Sequence, residues 1–268
     1  SLVGKVDIRK LENFAQNDSD AYSYCGGLCR GNRGVMEFVE MFKAPIKTLH
    51  PLLTATQEGN YMGTEPGLGA IPFDGIVVAH SNESEWDKFK GNKDNEAFLD
   101  RTRVIRVPYV VAKTDIVKVN KKLLATSALA DASIAPHTLE ILSEFMALSR
   151  ISAPENSNIY SKMKVYDGED IKATEPKVKS IQEYRDSAPP TEGMGGVSNR
   201  VAYGILAKTF NADPAEIAAD PVHLFYCIEK WVTDPVENIK SDDAKTYLAY
   251  LREYLIPDYI KKLGKELS

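Results

Sequence analysis

The chain has 268 residues, of which 43% are hydrophobic and 26% are charged, and its formal net charge is −5 at pH 7. This balance is ordinary for a globular protein, and a negative charge without a long basic stripe argues against a general nucleic-acid-binding protein. With no apolar run of membrane-spanning length and no secretory signal, we expect a cytoplasmic protein. Cys25 and Cys29 have no matching Cys or His pair, so we assign no metal-ligating residue.

The first strong strand signal covers residues 35–39 and is followed by an acidic residue, Glu40. In open α/β sheets, ligands bind at the carboxyl ends of the strands. A carboxylate at such an end can polarise an attacking water molecule as a general base. The alternative is an acid that caps the following helix near its N-terminus. We favour the catalytic interpretation.

A helix is predicted over residues 46–58, where Ile46, Leu49, Leu52 and Leu53 follow helical spacing. The glycine-rich residues 59–75 then predict a loop or a hairpin. A second strand is predicted over 75–80, and Asn82 follows it. Asn82 could orient the attacking water and sense a bound phosphate group, or it could make a local turn that ends the strand. The residue alone does not decide between the two.

A helix around 95–101 and a third strand over 103–107, ended by Pro108, come next. Arg101 and Arg103 could project from a subunit edge onto the nucleotide of a neighbouring subunit, as an arginine finger does. The alternative for either arginine is a surface ion pair with Asp100.

From Lys113 the pattern becomes helical, with helices predicted at 115–124, 136–149, 197–210, 214–219, 221–232 and 241–264, the last capped at Ser241. Residues 153–196 are polar and punctuated by glycine and proline, so we expect an insertion there, functional or partly disordered. Arg200 stands at a predicted helix start and could reach a phosphate across a cleft. The alternative is a solvated arginine, although the helix dipole disfavours a cation there unless an anion is bound.

A strand with a terminal acid, a strand followed by Asn and an arginine at a helix end together resemble the second half of an AAA+ ATPase core. The expected fold is therefore α/β plus α, with the later half of a P-loop NTPase core over residues 1–112 and a helical lid over 113–268. In that pattern an Asp that holds Mg²⁺ precedes the catalytic Glu, but Val39 stands here. Glu37 lies on the same strand face and could substitute, one step deeper.

The first half of such a core is not found in the sequence. A phosphate-binding loop needs Gly-x-x-x-x-Gly-Lys-Ser/Thr, and no such string occurs. We therefore expect a piece of a longer protein that begins after that loop, and Ser1 in place of an initiator Met fits this. Its sheet should then have an exposed edge or an extra pairing partner.

Five strings closely resemble the PrkA family of serine protein kinases: MEFVEMFKAPI (36–46), LLTATQEGNY (52–61), AHSNESEW (79–86), KMKVYDG (162–168) and SIQEYR (180–185). The resemblance implies ATP-dependent phosphorylation of serine on protein substrates, with ATP and Mg²⁺ bound by the intact protein. It also implies a homo-oligomer with a role in bacterial stress or sporulation. By the same resemblance, the phosphate loop and the carboxy-terminal part lie outside the chain, which alone is expected to be inactive.

Other functions remain open from the residues. Eukaryotic-type kinase signatures are not found, so the residues and the resemblance agree on ATP but not on the acceptor. One alternative is a mechanical AAA+ remodeller in which the hairpin at 59–75 moves against a partner protein. Another is an oligomerisation or adaptor module without kinase activity.

Overall fold

The computed structural model describes residues 2–64, 69–212 and 218–268. The chain divides into two compact units, Ser1–Ile105 and Arg106–Ser268. The sequence placed this boundary after residue 112. No helix of the described residues is long and apolar enough to cross a membrane.

The first unit combines short strands with helices. Its strands are β1 (Lys5–Val6), β2 (Tyr22–Ser23), β3 (Val35–Val39), β4 (Asn60–Met62), β5 (Ala70–Pro72) and β6 (Ile76–His80), and its helices are α1 (Gly27–Gly31), α2 (Ile46–Glu58), α3 (Glu83–Gly91) and α4 (Glu96–Leu99). Strands β3 and β6 are parallel and in register from Val35↔Ile76 to Val39↔His80. The pairs β1–β2 and β4–β5 are antiparallel.

The predictions for the first unit hold except for one strand. The strands at 35–39 and 75–80, the helix at 46–58 and the hairpin within 59–75 are confirmed, although residues 65–68 of the hairpin lie outside the described part. The helix near 95–101 is confirmed in short form as α4. The strand at 103–107 is wrong, because these residues have no regular secondary structure and Ile105 and Val107 are 76% and 80% exposed. Apolar content gives a strand only where a neighbouring strand pairs with it.

The β3–β6 pair packs one face inward and leaves the other exposed. Met36, Phe38 and Val77 contact a buried cluster that includes Leu49 and Leu52 of α2. On the opposite face, the exposed large aliphatic side chains are Val35, Val39, Ile76 and Val78. Among the described residues the sheet has only these two strands, so its outer edges are unpaired, as expected.

The second unit is helical. Its helices are α5 (Lys113–Ala125), α6 (Thr138–Arg150), α7 (Ile159–Tyr166), α8 (Ile181–Ser187), α9 (Asn199–Phe210), α10 (Pro221–Thr233), α11 (Ser241–Ala249) and α12 (Ile256–Glu266), and two short parallel strands are β7 (Ser133–Ile134) and β8 (Ala218–Ala219). Helix α6 is buried on nearly every side and forms the centre of the core. A π-helical segment, Tyr250–Leu255, joins α11 to α12. From α12, Lys262 Nζ lies 3.3 Å from Oε1 of the buried Glu144 on α6.

Helices predicted at 115–124, 136–149, 197–210 and 221–232 are confirmed as α5, α6, α9 and α10. The helix predicted at 214–219 falls largely on residues 213–217, outside the described part, and Ala218–Ala219 form β8. The last helix is confirmed, but Ser241 is its first helical residue rather than its cap.

The expected polar insertion at 153–196 contains two helices that were not predicted, α7 and α8, and its functional or partly disordered character stays a prediction. The polar composition gave no sign of these helices, because some of the polar residues are buried in pairs. Lys162 is only 2% exposed, and its ammonium lies 2.5 Å from the Glu192 carboxylate.

Candidate functional site

Glu40 lies directly after β3 in the left-handed conformation, with φ 52° and ψ 46°. Few residues other than glycine adopt this conformation. It begins a single 3₁₀ turn, Met41–Lys43, which returns the Lys43 ammonium to 2.6 Å from Glu40 Oε2. This hydrogen bond holds the pKa of Glu40 below its ordinary value. Glu40 is the N-cap residue of this turn, but its side chain makes no capping hydrogen bond, so its catalytic and capping interpretations both stay predictions.

Glu37 and His80 extend this group along the exposed face of the β3–β6 pair. Glu37 Oε1 lies 3.5 Å from His80 Nε2, and both side chains are more than half exposed. A protonated His80 ring would also lower the pKa of Glu40. Two carboxylates, an imidazole and an ammonium therefore meet at the carboxyl ends of two parallel strands. Among the described residues, no group of three or more His, Cys, Asp or Glu side chains could hold a metal ion.

Asn82 follows β6 and caps α3. Its Oδ1 accepts a hydrogen bond from the backbone N–H of Glu85 at 2.8 Å. The side-chain oxygen thus serves the helix start, and a role of Asn82 toward water or a phosphate group stays a prediction. Between the strand and Asn82, the buried Ser81 hydroxyl has no hydrogen-bond partner among the described residues. Sequence reasoning missed Ser81, and a buried unpaired hydroxyl is uncommon.

Arg101 and Arg103 differ in their surroundings. Arg101 donates from Nε to Gln57 Oε1 at 2.6 Å and from a terminal nitrogen to the Ala97 carbonyl at 2.6 Å. Arg103 is exposed and has no hydrogen-bond or ion-pair partner among the described residues. The ion pair with Asp100 is absent for both in that part of the chain. Arg103 is therefore the guanidinium available to an outside anion.

Arg200 is the second residue of α9, whose N-cap Ser198 accepts a hydrogen bond from the backbone N–H of Val201 at 3.3 Å. Its side chain is exposed and unpartnered in the described structure. It belongs to the second unit, whereas Glu37, Glu40 and Asn82 belong to the first. Their convergence on one nucleotide stays a prediction.

Arg150, which sequence reasoning missed, is 4% exposed at the end of α6. Its guanidinium donates to the carbonyls of Val110 and Val197 and to Asn199 Oδ1, and it lies 4.7 Å from the centre of the Tyr109 ring. Burial lowers its pKa to about 10, so it stays charged at neutral pH. A cavity of about 140 Å³ adjoins it. A larger cavity, about 370 Å³, is lined by residues 156–158 and 175–178 and contains none of the predicted site residues.

Two family models together match almost all of the chain. The model of the PrkA AAA domain matches residues 1–158, and that of the PrkA serine protein kinase C-terminal domain matches residues 160–268. The second match corrects one expectation, because part of the carboxy-terminal region is present in the chain. The helical unit spans the border between the two matches.

Relatives match over most of the chain but are longer than it. Serine/threonine kinase YeaG of Escherichia coli strain K12 is 60% identical over 268 residues, which are all of this chain and 41% of that protein. ATP-dependent protease PrkA of Bacillus subtilis strain 168 is 34% identical over 93% of this chain and 39% of that protein. The chain thus spans about two fifths of the length of these relatives. Among solved structures, NtrX from Brucella abortus in complex with ADP aligns with 98% of this chain and 54% of its own, at 14% identity and a TM-score of 0.39.

Proposed function

Since the chain belongs to the PrkA family, we propose that it is part of an ATP-dependent serine protein kinase with an AAA+ ATPase core. Residues 1–112 supply the later half of that core and residues 113–158 the start of its helical lid, whereas residues 160–268 match the model of the C-terminal domain. The protein acts in the cytoplasm as a homo-oligomer on serine residues of protein substrates. The chain by itself is inactive, because no phosphate-binding loop occurs in its sequence.

The observation that carries this proposal is the carboxylate of Glu40 at the end of β3, beside the end of the parallel strand β6. The residues there fit a magnesium nucleotide in their chemistry, since carboxylate oxygens are ligands that Mg²⁺ accepts and the Ser81 hydroxyl has no partner among the described residues. Glu37 would take the place of the missing Asp toward the metal end of the nucleotide, which leaves Glu40 as the base. Bound ATP would supply the phosphoryl group that is transferred.

In this scheme the chain's own residues orient the attacking nucleophile and neutralise the charge of the phosphate groups. Glu40 accepts the proton of the attacking water or hydroxyl, for which it must leave Lys43. Asn82 orients that nucleophile, and Arg200 binds a phosphate oxygen. Arg103, or Arg101 after release from Gln57, supplies positive charge to the nucleotide of a neighbouring subunit.

The test uses the full-length protein with Glu40→Gln. ATP affinity should stay near the parental value, while turnover should fall by roughly two or more orders of magnitude through loss of a positioned general base. Asp115→Asn is the matched control, because Asp115 forms a similar i,i+3 pair with Lys118 at 2.8 Å in the other unit. Parental turnover in Glu40→Gln would show that the carboxylate is structural. Mixing Arg103→Ala subunits with Glu40→Gln subunits should partly restore activity if the arginine acts across subunits.

A second candidate function is ATP-driven remodelling of a partner protein. The observation that favours it is the β4–β5 hairpin, whose Met62 is 58% exposed. The name ATP-dependent protease of the Bacillus subtilis relative also points to ATP-driven action on proteins. Transfer of labelled phosphate to an added protein supports the kinase, whereas nucleotide-driven unfolding or cleavage of that protein without transfer supports the second function.

A further inference from the structure

Arg150 is a buried cation that has no carboxylate partner in the described structure. Its Nε and one terminal nitrogen both donate to the Val197 carbonyl, at 3.1 and 2.8 Å. The same terminal nitrogen donates to Asn199 Oδ1 at 2.9 Å, and the other donates to the Val110 carbonyl at 2.8 Å. Burying a charge that is compensated only by neutral acceptors costs free energy. Packing alone therefore does not explain why an arginine stands at this position.

These acceptors join the end of α6 to two separate segments. Val110 lies in the irregular stretch before α5, and Val197 and Asn199 flank the N-cap of α9. Neighbouring contacts tighten the same junction. The backbone N–H of Val197 donates to Ser149 Oγ at 2.9 Å, and the backbone N–H of Tyr109 donates to the carbonyl of Gly193 at 2.7 Å.

We propose that Arg150 is a positioning residue for Arg200, an inference that rests on the proposed function. The bidentate contact with Val197 and the bond to Asn199 fix the backbone that leads directly into Arg200. The buried guanidinium and the N-terminal end of α9 both disfavour a second cation at this corner. Arg200 is therefore held extended toward solvent until an anionic group, a polyphosphate in the proposed site, compensates the charge.

Arg150→Lys distinguishes the effect of the positive charge from the effect of the guanidinium geometry. A single ammonium keeps the positive charge but cannot reproduce the planar fork that reaches three acceptors. In the full-length protein, Arg150→Lys should lower kcat/KM for ATP by roughly tenfold to a hundredfold, as expected for a misplaced contact remote from the reacting atoms. Arg200→Ala should cause a loss at least as large.

The double variant is the decisive measurement. If Arg150 acts through Arg200, adding Arg150→Lys to Arg200→Ala should cause no further loss. Two outcomes would overturn this inference but leave the proposed function standing. One is a loss in the double variant that equals the product of the two single losses. The other is parental kinetics in Arg150→Lys while Arg200→Ala is impaired. Parental kinetics in Arg200→Ala would overturn its proposed role in the site and this inference with it.

Two further measurements exclude a purely structural effect. Ile228→Val, a change within the same buried core, should lower the melting temperature without lowering kcat/KM. Hydrogen exchange on the present chain should accelerate in Arg150→Lys around residues 196–201 and 108–112. Acceleration spread evenly over the helical unit would instead indicate general destabilisation and overturn the inference.

Discussion

The buried pair Lys162–Glu192 gives the sharpest stability prediction. Lys162 Nζ lies 2.5 Å from Glu192 Oε2 and also donates to the carbonyl and hydroxyl oxygens of Ser152 at 3.0 and 3.2 Å. Glu192 in turn accepts from the backbone N–H of Ser152 at 2.8 Å and from the Tyr166 hydroxyl at 2.7 Å. Lys162→Met keeps an unbranched side chain that is one heavy atom shorter and removes the charge.

The expected loss follows from what the substitution leaves behind. Removing one partner of a buried ion pair costs about 3–5 kcal/mol, because the other charge stays buried. Glu192 retains hydrogen bonds from Ser152 and Tyr166, so we expect the lower end, about 3 kcal/mol of unfolding free energy. In a unit of this size 1 kcal/mol shifts the melting temperature by about 2–4 °C, which gives a decrease of about 6–12 °C.

The assay must report on the helical unit alone, because two compact units need not unfold together. The chain has two tryptophans, so a Trp86→Phe background leaves Trp231 in the helical core as the only tryptophan. Urea unfolding is then followed by Trp231 fluorescence. Lys208→Met is the control, since the Lys208–Glu237 pair is largely exposed at 3.7 Å and should contribute less than about 1 kcal/mol. If Lys162→Met lost no more unfolding free energy than Lys208→Met, the expectation of about 3 kcal/mol would be refuted.

The same pair predicts a pH dependence. Hydrogen bonds from Lys162 and Ser152 outweigh burial and hold the pKa of Glu192 below its ordinary value of 4.5. A carboxylate with a lowered folded-state pKa adds stability above its unfolded pKa, and this stability is lost as the pH falls through the folded pKa. The stability difference between the parent and Lys162→Met should therefore be full above pH 4.5 and shrink on acidification below it.

Two further substitutions test local geometry. Asn82→Ala should destabilise the first unit by about 1 kcal/mol through loss of the α3 cap, whereas Asn82→Asp should keep the cap and the stability. Trp86 fluorescence in a Trp231→Phe background measures the unfolding of both variants. If Asn82→Ala were as stable as the parent, Asn82 would not act as a stabilising cap. Gly196→Ala should destabilise the helical unit strongly, because φ is +96° and the new Cβ would clash with the Ser149 carbonyl oxygen. Gly195→Ala meets nothing within 4 Å and should be tolerated in thermal melts.

Elements with complete local signals could be predicted from the sequence. Helix α2 has apolar residues at helical spacing, a proline before its start and a left-handed glycine, Gly59, at its end. Strand β3 is a short apolar run that places Glu40 at its carboxyl end. The segment 103–107 carries a similar apolar signal but has no partner strand among the described residues, and pairing is a property of the whole fold.

The surroundings of the candidate site depend on contacts that sequence patterns do not encode. Lys43 approaches Glu40 only because Glu40 is left-handed and starts a 3₁₀ turn. Arg150 bonds backbone carbonyls 40 and 47 residues away, and every residue type carries such a carbonyl. Pattern reading therefore identifies the acid at a strand end but not the groups that restrain it.

The π-helical segment between α11 and α12 determines the rotational phase of the final helix. A π turn holds one more residue than an α turn, so each residue beyond it is rotated by about 100° relative to an uninterrupted α-helix. Lys262 meets Glu144, and Glu266 meets His137 at 2.8 Å, only in this phase. Loss of a single residue within Tyr250–Leu255 would thus preserve helicity while turning both partners away from α6.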